Sequence, residues 1–144
     1  MTETAIDILL IEDNINDAEL TIRALRKNNI ANNIIHLQDG AIALDFLFGT
    51  GEYKGRNTND RPKVILLDLK MPKVNGIEVL EQIKANELTK KIPVVMLTSS
   101  KEFSDIDKSY LLGANSYIVK PVNFENFYKT VNEMGIYWMI HNQN

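Results

Sequence analysis

The chain has no cysteine, so it can build neither a disulfide frame nor a thiolate metal site. It has no excess of basic charge. Sixteen Lys plus Arg stand against 19 Asp plus Glu, a net charge of −3, without the strongly basic balance of nucleic-acid binders. Residues 1–7 contain Glu3 and Asp7 and lack a basic segment leading into an apolar run, which argues against a signal peptide. No stretch approaches the roughly 20 apolar residues of a membrane span. A cytoplasmic protein with no nucleic-acid or membrane partner is the expectation. What is present suits one soluble domain: 144 residues, 44% hydrophobic and 24% charged, enough to bury a sizeable core.

Four short apolar runs stand out: Ile8-Leu9-Leu10-Ile11, Val64-Ile65-Leu66-Leu67, Val94-Val95-Met96-Leu97 and Tyr117-Ile118-Val119. They are continuous rather than alternating, as in strands covered on both faces of a parallel sheet. A weaker strand, residues 33–37, lies between the first two. Helical spacing fills the gaps. Ile15, Ala18, Ile22 and Leu25 form one stripe, Gly40 to Phe48 an apolar second helix, and Ile77, Leu80 and Ile83 a third over 75–86. Phe103, Ile106 and Tyr110 mark a fourth that Gly113 would stop, and Phe124, Phe127, Val131, Met134 and Trp138 mark the fifth. Five alternations of strand and helix predict an α/β fold with right-handed crossovers. Residues 49–62, rich in Gly, Asn and charge, read as an extended surface loop. No repeat or linker is seen, so residues 1–144 are expected to form a single domain without an output domain.

Polar residues follow the apolar runs directly: Glu12 and Asp13 after the first, then Asp68, Thr98 and Lys120. Ligands of open α/β sheets bind beyond the carboxyl ends of the strands. Taken singly, each residue has a plainer role: Asp13 as a turn or helix cap, Lys120 before Pro121 as part of a turn. Together they place three carboxylates at one edge. If the first and third strands are neighbours, about 4.8 Å apart, Glu12, Asp13 and Asp68 repel one another unless a cation binds. Hard oxygen donors, with neither His36 nor His141 nearby in sequence, favour Mg²⁺.

These residues carry a resemblance. The pair Glu12-Asp13, the segment Leu66-Leu67-Asp68-Leu69-Lys70-Met71-Pro72, the Leu97-Thr98-Ser99-Ser100 turn and the run from Gly113 through Tyr117 to Lys120-Pro121 resemble response-regulator receiver domains of two-component systems. The loop at 49–62 and the 113–121 run are most similar to the small regulators paired with bacterial phytochromes. The resemblance, rather than the sequence pattern, implies the flavodoxin-like strand order 2-1-3-4-5.

It also implies roles. Asp68 would be the phosphoacceptor, taking a phosphoryl group from a sensor histidine kinase, phytochrome-like or not, or from a phosphotransfer protein. Asp13, Asp68 and the backbone carbonyl of Lys70 would bind Mg²⁺, with Glu12 acting through a metal-bound water. Thr98 and Lys120 would stabilise the phosphoryl oxygens. The Lys120–Pro121 bond would be cis. Thr98 and Tyr117 would form the switch, Tyr117 turning inward as Thr98 moves; the plainer role of Tyr117 is a core tyrosine of its strand. Such a domain is a signalling phosphoprotein with slow autodephosphorylation and not an enzyme acting on free esters. A hydrolase with an aspartate nucleophile would carry a second Asp where Lys70 stands. The alternative is a receiver-like protein-binding module that works without phosphorylation. Three departures from the family pattern are Glu12 in place of Asp, Ser99 in place of a smaller residue, and the extra cation Lys70.

Two surfaces complete the expectation. Residues 136–140 are five consecutive apolar residues, which a helix cannot all turn to one core. With the resemblance, they suggest a homodimer through the fourth helix, fifth strand and fifth helix. Asn14, Asn16 and Asp17, opening the first helix, are candidates for kinase contact, although capping is the plainer role of Asn14.

Overall fold

The computed structural model describes residues 6–27, 33–71, 73–99 and 103–135. The apolar run at 136–140, Trp138 and His141 lie outside the described residues, as do Pro72 and Ser100.

Five strands, β1 (Ile8–Ile11), β2 (Ile34–Leu37), β3 (Val64–Asp68), β4 (Val94–Thr98) and β5 (Ser116–Val119), alternate with five helices. The helices are α1 (Ile15–Lys27), α2 (Gly40–Phe48), α3 (Gly76–Ala85), α4 (Phe103–Leu111) and α5 (Phe124–Glu133). All strand pairs are parallel, in the order β2-β1-β3-β4-β5. The flavodoxin-like, doubly wound architecture is therefore present.

The continuous apolar runs have a direct cause. Leu9, Ile11, Ile65, Leu67, Val94 and Met96 point to one face, where α2 and α3 add Ala43, Leu47, Val79, Leu80 and Ile83. Ile8, Leu10, Val64, Leu66, Val95 and Leu97 point to the other, under Ala18 and Leu25 of α1 and Phe127 and Val131 of α5. Every one of these strand residues is fully buried. At about 1.5–3 kcal/mol for each large aliphatic side chain removed from water, the sheet is the main source of stability.

The helices differ from their expected stripes at two places. In α1 the buried residues are Ala18, Thr21 and Leu25, whereas Ile15 is 54% exposed, because it opens the helix beyond the end of β1. In α4 Ile106 is buried but Tyr110 lies outward, edge-on to Tyr117 of β5 at 6.2 Å. Gly113, at φ 107°, ends α4 with its N–H on the Tyr110 carbonyl.

The 49–62 segment is not simply extended. Gly49 closes α2 in the left-handed region, and a 3₁₀ turn at Gly51–Tyr53 brings Tyr53 edge-on to Phe46 at 5.1 Å. The Arg56 guanidinium lies 4.0 Å from the Phe46 ring centre. It also donates to the carbonyls of Phe46, Asn57 and Asp60 at 2.6, 2.9 and 3.0 Å. One side chain thus folds the segment back onto α2.

Candidate functional site

The strand register brings the polar residues to one edge. Ile11 pairs with Leu67, so Glu12 and Asp68 follow side by side, and Asp68 in turn pairs with Leu97. Thr98 pairs with Val119, the residue before Lys120. The Lys120 N–H donates to the Thr98 carbonyl at 2.7 Å, and the Lys120–Pro121 peptide is cis.

Carboxylate oxygens of Glu12, Asp13 and Asp68 lie within 4.8 Å of one another, Glu12 and Asp68 buried and Asp13 open to solvent. Glu12 is held on both sides. Its backbone carbonyl accepts from the His36 Nε2–H at 2.8 Å, and its Oε2 accepts from the Asn14 N–H at 3.2 Å. His36, remote in sequence, therefore braces the backbone of the site and lies outside the oxygen cluster. The Lys120 ammonium stands 3.1 Å from Glu12 Oε1 and 3.1 Å from Asp68 Oδ1.

Burial pushes the Asp68 carboxyl up, a hydrogen bond shared with Glu12 and that residue's charge push it further, and Lys120 only partly offsets them; the result is about 8. Burial by itself would lower the Lys120 ammonium, but the Asp68 and Glu12 carboxylates outweigh it and hold the lysine charged well above its ordinary range. One ammonium leaves the cluster with surplus negative charge. Hard oxygen donors, crowding and that surplus fit a divalent cation of the magnesium and manganese kind.

The other expected residues are placed less uniformly. Thr98 is fully buried, and its hydroxyl donates to the Ser99 carbonyl at 3.0 Å. Tyr117 is half-buried against Tyr110. The Lys70 ammonium pairs with Asp105 of α4 at 3.7 Å, so its charge is directed toward that helix. Asn14 caps α1, accepting from the Asp17 N–H at 2.9 Å.

Two residues were not anticipated. Asp17, read as a docking residue, places Oδ2 3.3 Å from the Lys120 ammonium. Its place in the first turn of the helix that follows Glu12 and Asp13 was the available signal. Gly76, the first residue of α3, meets the end of β3 where a β-carbon would run into the Asp68 carbonyl oxygen. Only the Asn75-Gly76 sequence hinted at it.

The profile of the response regulator receiver domain family matches residues 8–132. Among curated proteins, the probable methanogenesis regulatory protein FilR2 of Methanothrix harundinacea is 44% identical over 92% of this chain and 83% of its own. Response regulator Rcp1 of Synechocystis sp. is 41% identical over 92% and 88%. Among solved structures, the bacteriophytochrome response regulator AtBRR superposes with a TM-score of 0.85 at 48% identity, covering 98% of this chain and all of that one. The phosphorylated cyanobacterial phytochrome response regulator RcpA gives 0.76 at 36% identity, covering 97% and 98%. A Mn²⁺-bound form of Rcp1 gives 0.74 at 39%, covering 95% and 96%.

Proposed function

The chain belongs to the response regulator receiver family, and on that premise we propose that it is a single-domain, cytoplasmic response regulator phosphorylated on Asp68 in a Mg²⁺-dependent reaction. The phosphoryl donor is a sensor histidine kinase related to the phytochrome-linked class, or a phosphotransfer protein. The observation that carries this reading is the Lys120 ammonium, 3.1 Å from both Asp68 and Glu12 at an edge where Asp13 also converges. Relatives support it: one is described in a phosphorylated form and another with manganese. No helix among the described residues is long and apolar enough to cross a membrane.

Asp13 and Asp68, with the backbone carbonyl of Lys70, would hold Mg²⁺, and Glu12 would reach it through water. When bound, the ion supplies positive charge to the phosphoryl oxygens and keeps Asp68 ionised. The ionised Asp68 oxygen forms a bond to phosphorus as the phosphohistidine P–N bond breaks; the electron pair leaves with the imidazole, which then takes up a proton. Lys120 faces the new phosphoryl oxygens as a point charge. Thr98 rotates its hydroxyl from the Ser99 carbonyl to a phosphoryl oxygen, and Tyr117 moves into the space released. Two packings of α4 and β5 are thereby exchanged in population, the Tyr110–Tyr117 contact being the part that must give way. Exposed Tyr110 and Leu111 support a homodimer through the face of α4, β5 and α5 as part of this reading. Light scattering that finds one chain mass with and without beryllofluoride would remove that element of the proposal.

The test is intact mass after incubation with acetyl phosphate. One phosphoryl group should be gained by wild type, lost when Mg²⁺ is chelated, and absent in Asp68→Asn. No gain, together with no response to beryllofluoride and Mg²⁺, would replace this reading by a binding module independent of phosphorylation.

A further inference from the structure

Lys120 has more anionic partners than one ammonium needs. Glu12 Oε1 and Asp68 Oδ1 each lie 3.1 Å away, and Asp17 Oδ2 lies at 3.3 Å. The first two belong to the cluster that would hold a divalent ion; Asp17 stands outside it, in the first turn of α1, with its side chain 41% exposed. In the metal-free protein the ammonium thus occupies an oxygen on each of two carboxyl groups that the ion requires. Two cations on Glu12 and Asp68 at once repel each other, and burial of both carboxylates weakens the screening. An entering ion must either accept that repulsion or move the lysine.

Asp17 offers the lysine another place. It is already within ion-pair distance, and the two side chains border a cleft of about 220 Å³ lined also by Leu20, Thr21, Pro121 and Val122. The cleft gives the lysine room to turn without leaving the edge of the site. We infer that Asp17 is a positioning residue for Lys120, taking over its ammonium when a divalent ion enters the Glu12–Asp13–Asp68 cluster. The exchange strengthens metal binding and keeps the lysine within reach of a phosphoryl group. The inference rests on reading that cluster as the metal site.

A plain exposed carboxylate would also attract a cation weakly, so the test must separate the two effects. Mn²⁺ binding would be followed by electron paramagnetic resonance for wild type, Asp17→Asn, Lys120→Met and the double variant. Asp17→Asn should weaken Mn²⁺ about five- to tenfold when Lys120 is present, because the ammonium stays on Glu12 and Asp68. With Lys120→Met the same change should cost less than about twofold, the effect of one screened surface charge. Asp17→Glu should restore most of the affinity. Equal losses in the two backgrounds, or none in either, would overturn the inference while leaving the metal site intact. Wild type that fails to bind Mn²⁺, or binds it undiminished after Asp13→Asn, would overturn the metal site and the inference with it.

Discussion

Gly76 and Asp68 meet through their backbones. A β-carbon on Gly76 would collide with the Asp68 carbonyl oxygen and lie 2.9 Å from the Leu69 Cα, while the Gly76 N–H donates to the Leu69 carbonyl at 3.0 Å. The glycine lets the start of α3 press against the strand end that carries the proposed acceptor. Gly76→Ala should cost about 1–3 kcal/mol in urea unfolding, the usual range for overpacking. It should also slow phosphorylation by acetyl phosphate, since a small displacement of Asp68 spoils its alignment. Unchanged stability would show that the contact relaxes freely.

The Asp68 carboxyl predicts an unusual pH dependence. In the unfolded chain it ionises near its ordinary value of 3.8, whereas burial and Glu12 raise it to about 8 in the folded protein. Between about pH 4 and 8 the folded state therefore retains a proton that the unfolded state has released, and stability falls as pH rises. Metal-free wild type should lose more stability across this window than Asp68→Asn in urea titrations at a series of pH values. Saturating Mg²⁺ should flatten the difference. Parallel curves for the two proteins would contradict the assignment.

Tyr117 should separate transfer from signalling. Tyr117→Ala should still gain a phosphoryl group on Asp68, because the ring lies against Tyr110 and not in the carboxylate cluster. Beryllofluoride should no longer change hydrogen exchange in α4. A normal exchange response in this variant would eliminate the switch role.

Arg56 should govern the order of the 49–62 segment. Arg56→Lys keeps the charge but loses the planar fork that spans the Phe46, Asn57 and Asp60 carbonyls. Faster hydrogen exchange at residues 57–60, with unchanged exchange in β3, is the expected result. Exchange rates equal to wild type would mean that Tyr53 and Phe46 suffice.

At the opposite end of the sheet, the Lys84 ammonium has no carboxylate partner among the described residues. It donates to the Lys90 and Ile92 carbonyls and to Asn115 Oδ1 at 3.2, 2.9 and 3.1 Å. Asn115 also accepts from the Val94 N–H, so α3, β4 and the entry to β5 are joined. Lys84→Met should cost about 1–3 kcal/mol by removing the ammonium from the Lys90 and Ile92 carbonyls, with phosphorylation of Asp68 intact. A neutral effect in urea unfolding would assign the network to solvent.

Strands were readable because burial on both faces demands continuous apolar runs, and α2 begins and ends where its apolar composition does. β3 and β4 each run one residue further than those runs, to Asp68 and Thr98, since backbone pairing continues past the last apolar side chain. The convergence of Glu12, Asp13, Asp68 and Lys120 was readable for a related reason: each stands at or just past the carboxyl end of a strand, and parallel strands deliver their ends to one edge. Contacts decided by side-chain direction were not readable. Lys70 turns to Asp105, Asp17 turns to Lys120, and Arg56 lies over Phe46, although each is just another charged residue in sequence. Ile15 and Tyr110 had the helical spacing of core residues but stand where no neighbouring element covers them fully.

The ion pair between Lys120 and Glu12 spans 108 positions of the chain. Synthesis delivers Glu12 early and Lys120 late, and loop closure over such a length is among the slower steps of folding. A nascent chain that has made only its first four strands carries Glu12, Asp13 and Asp68 without the Lys120 ammonium. The charge balance of the cluster is thus completed only when β5 has joined the sheet.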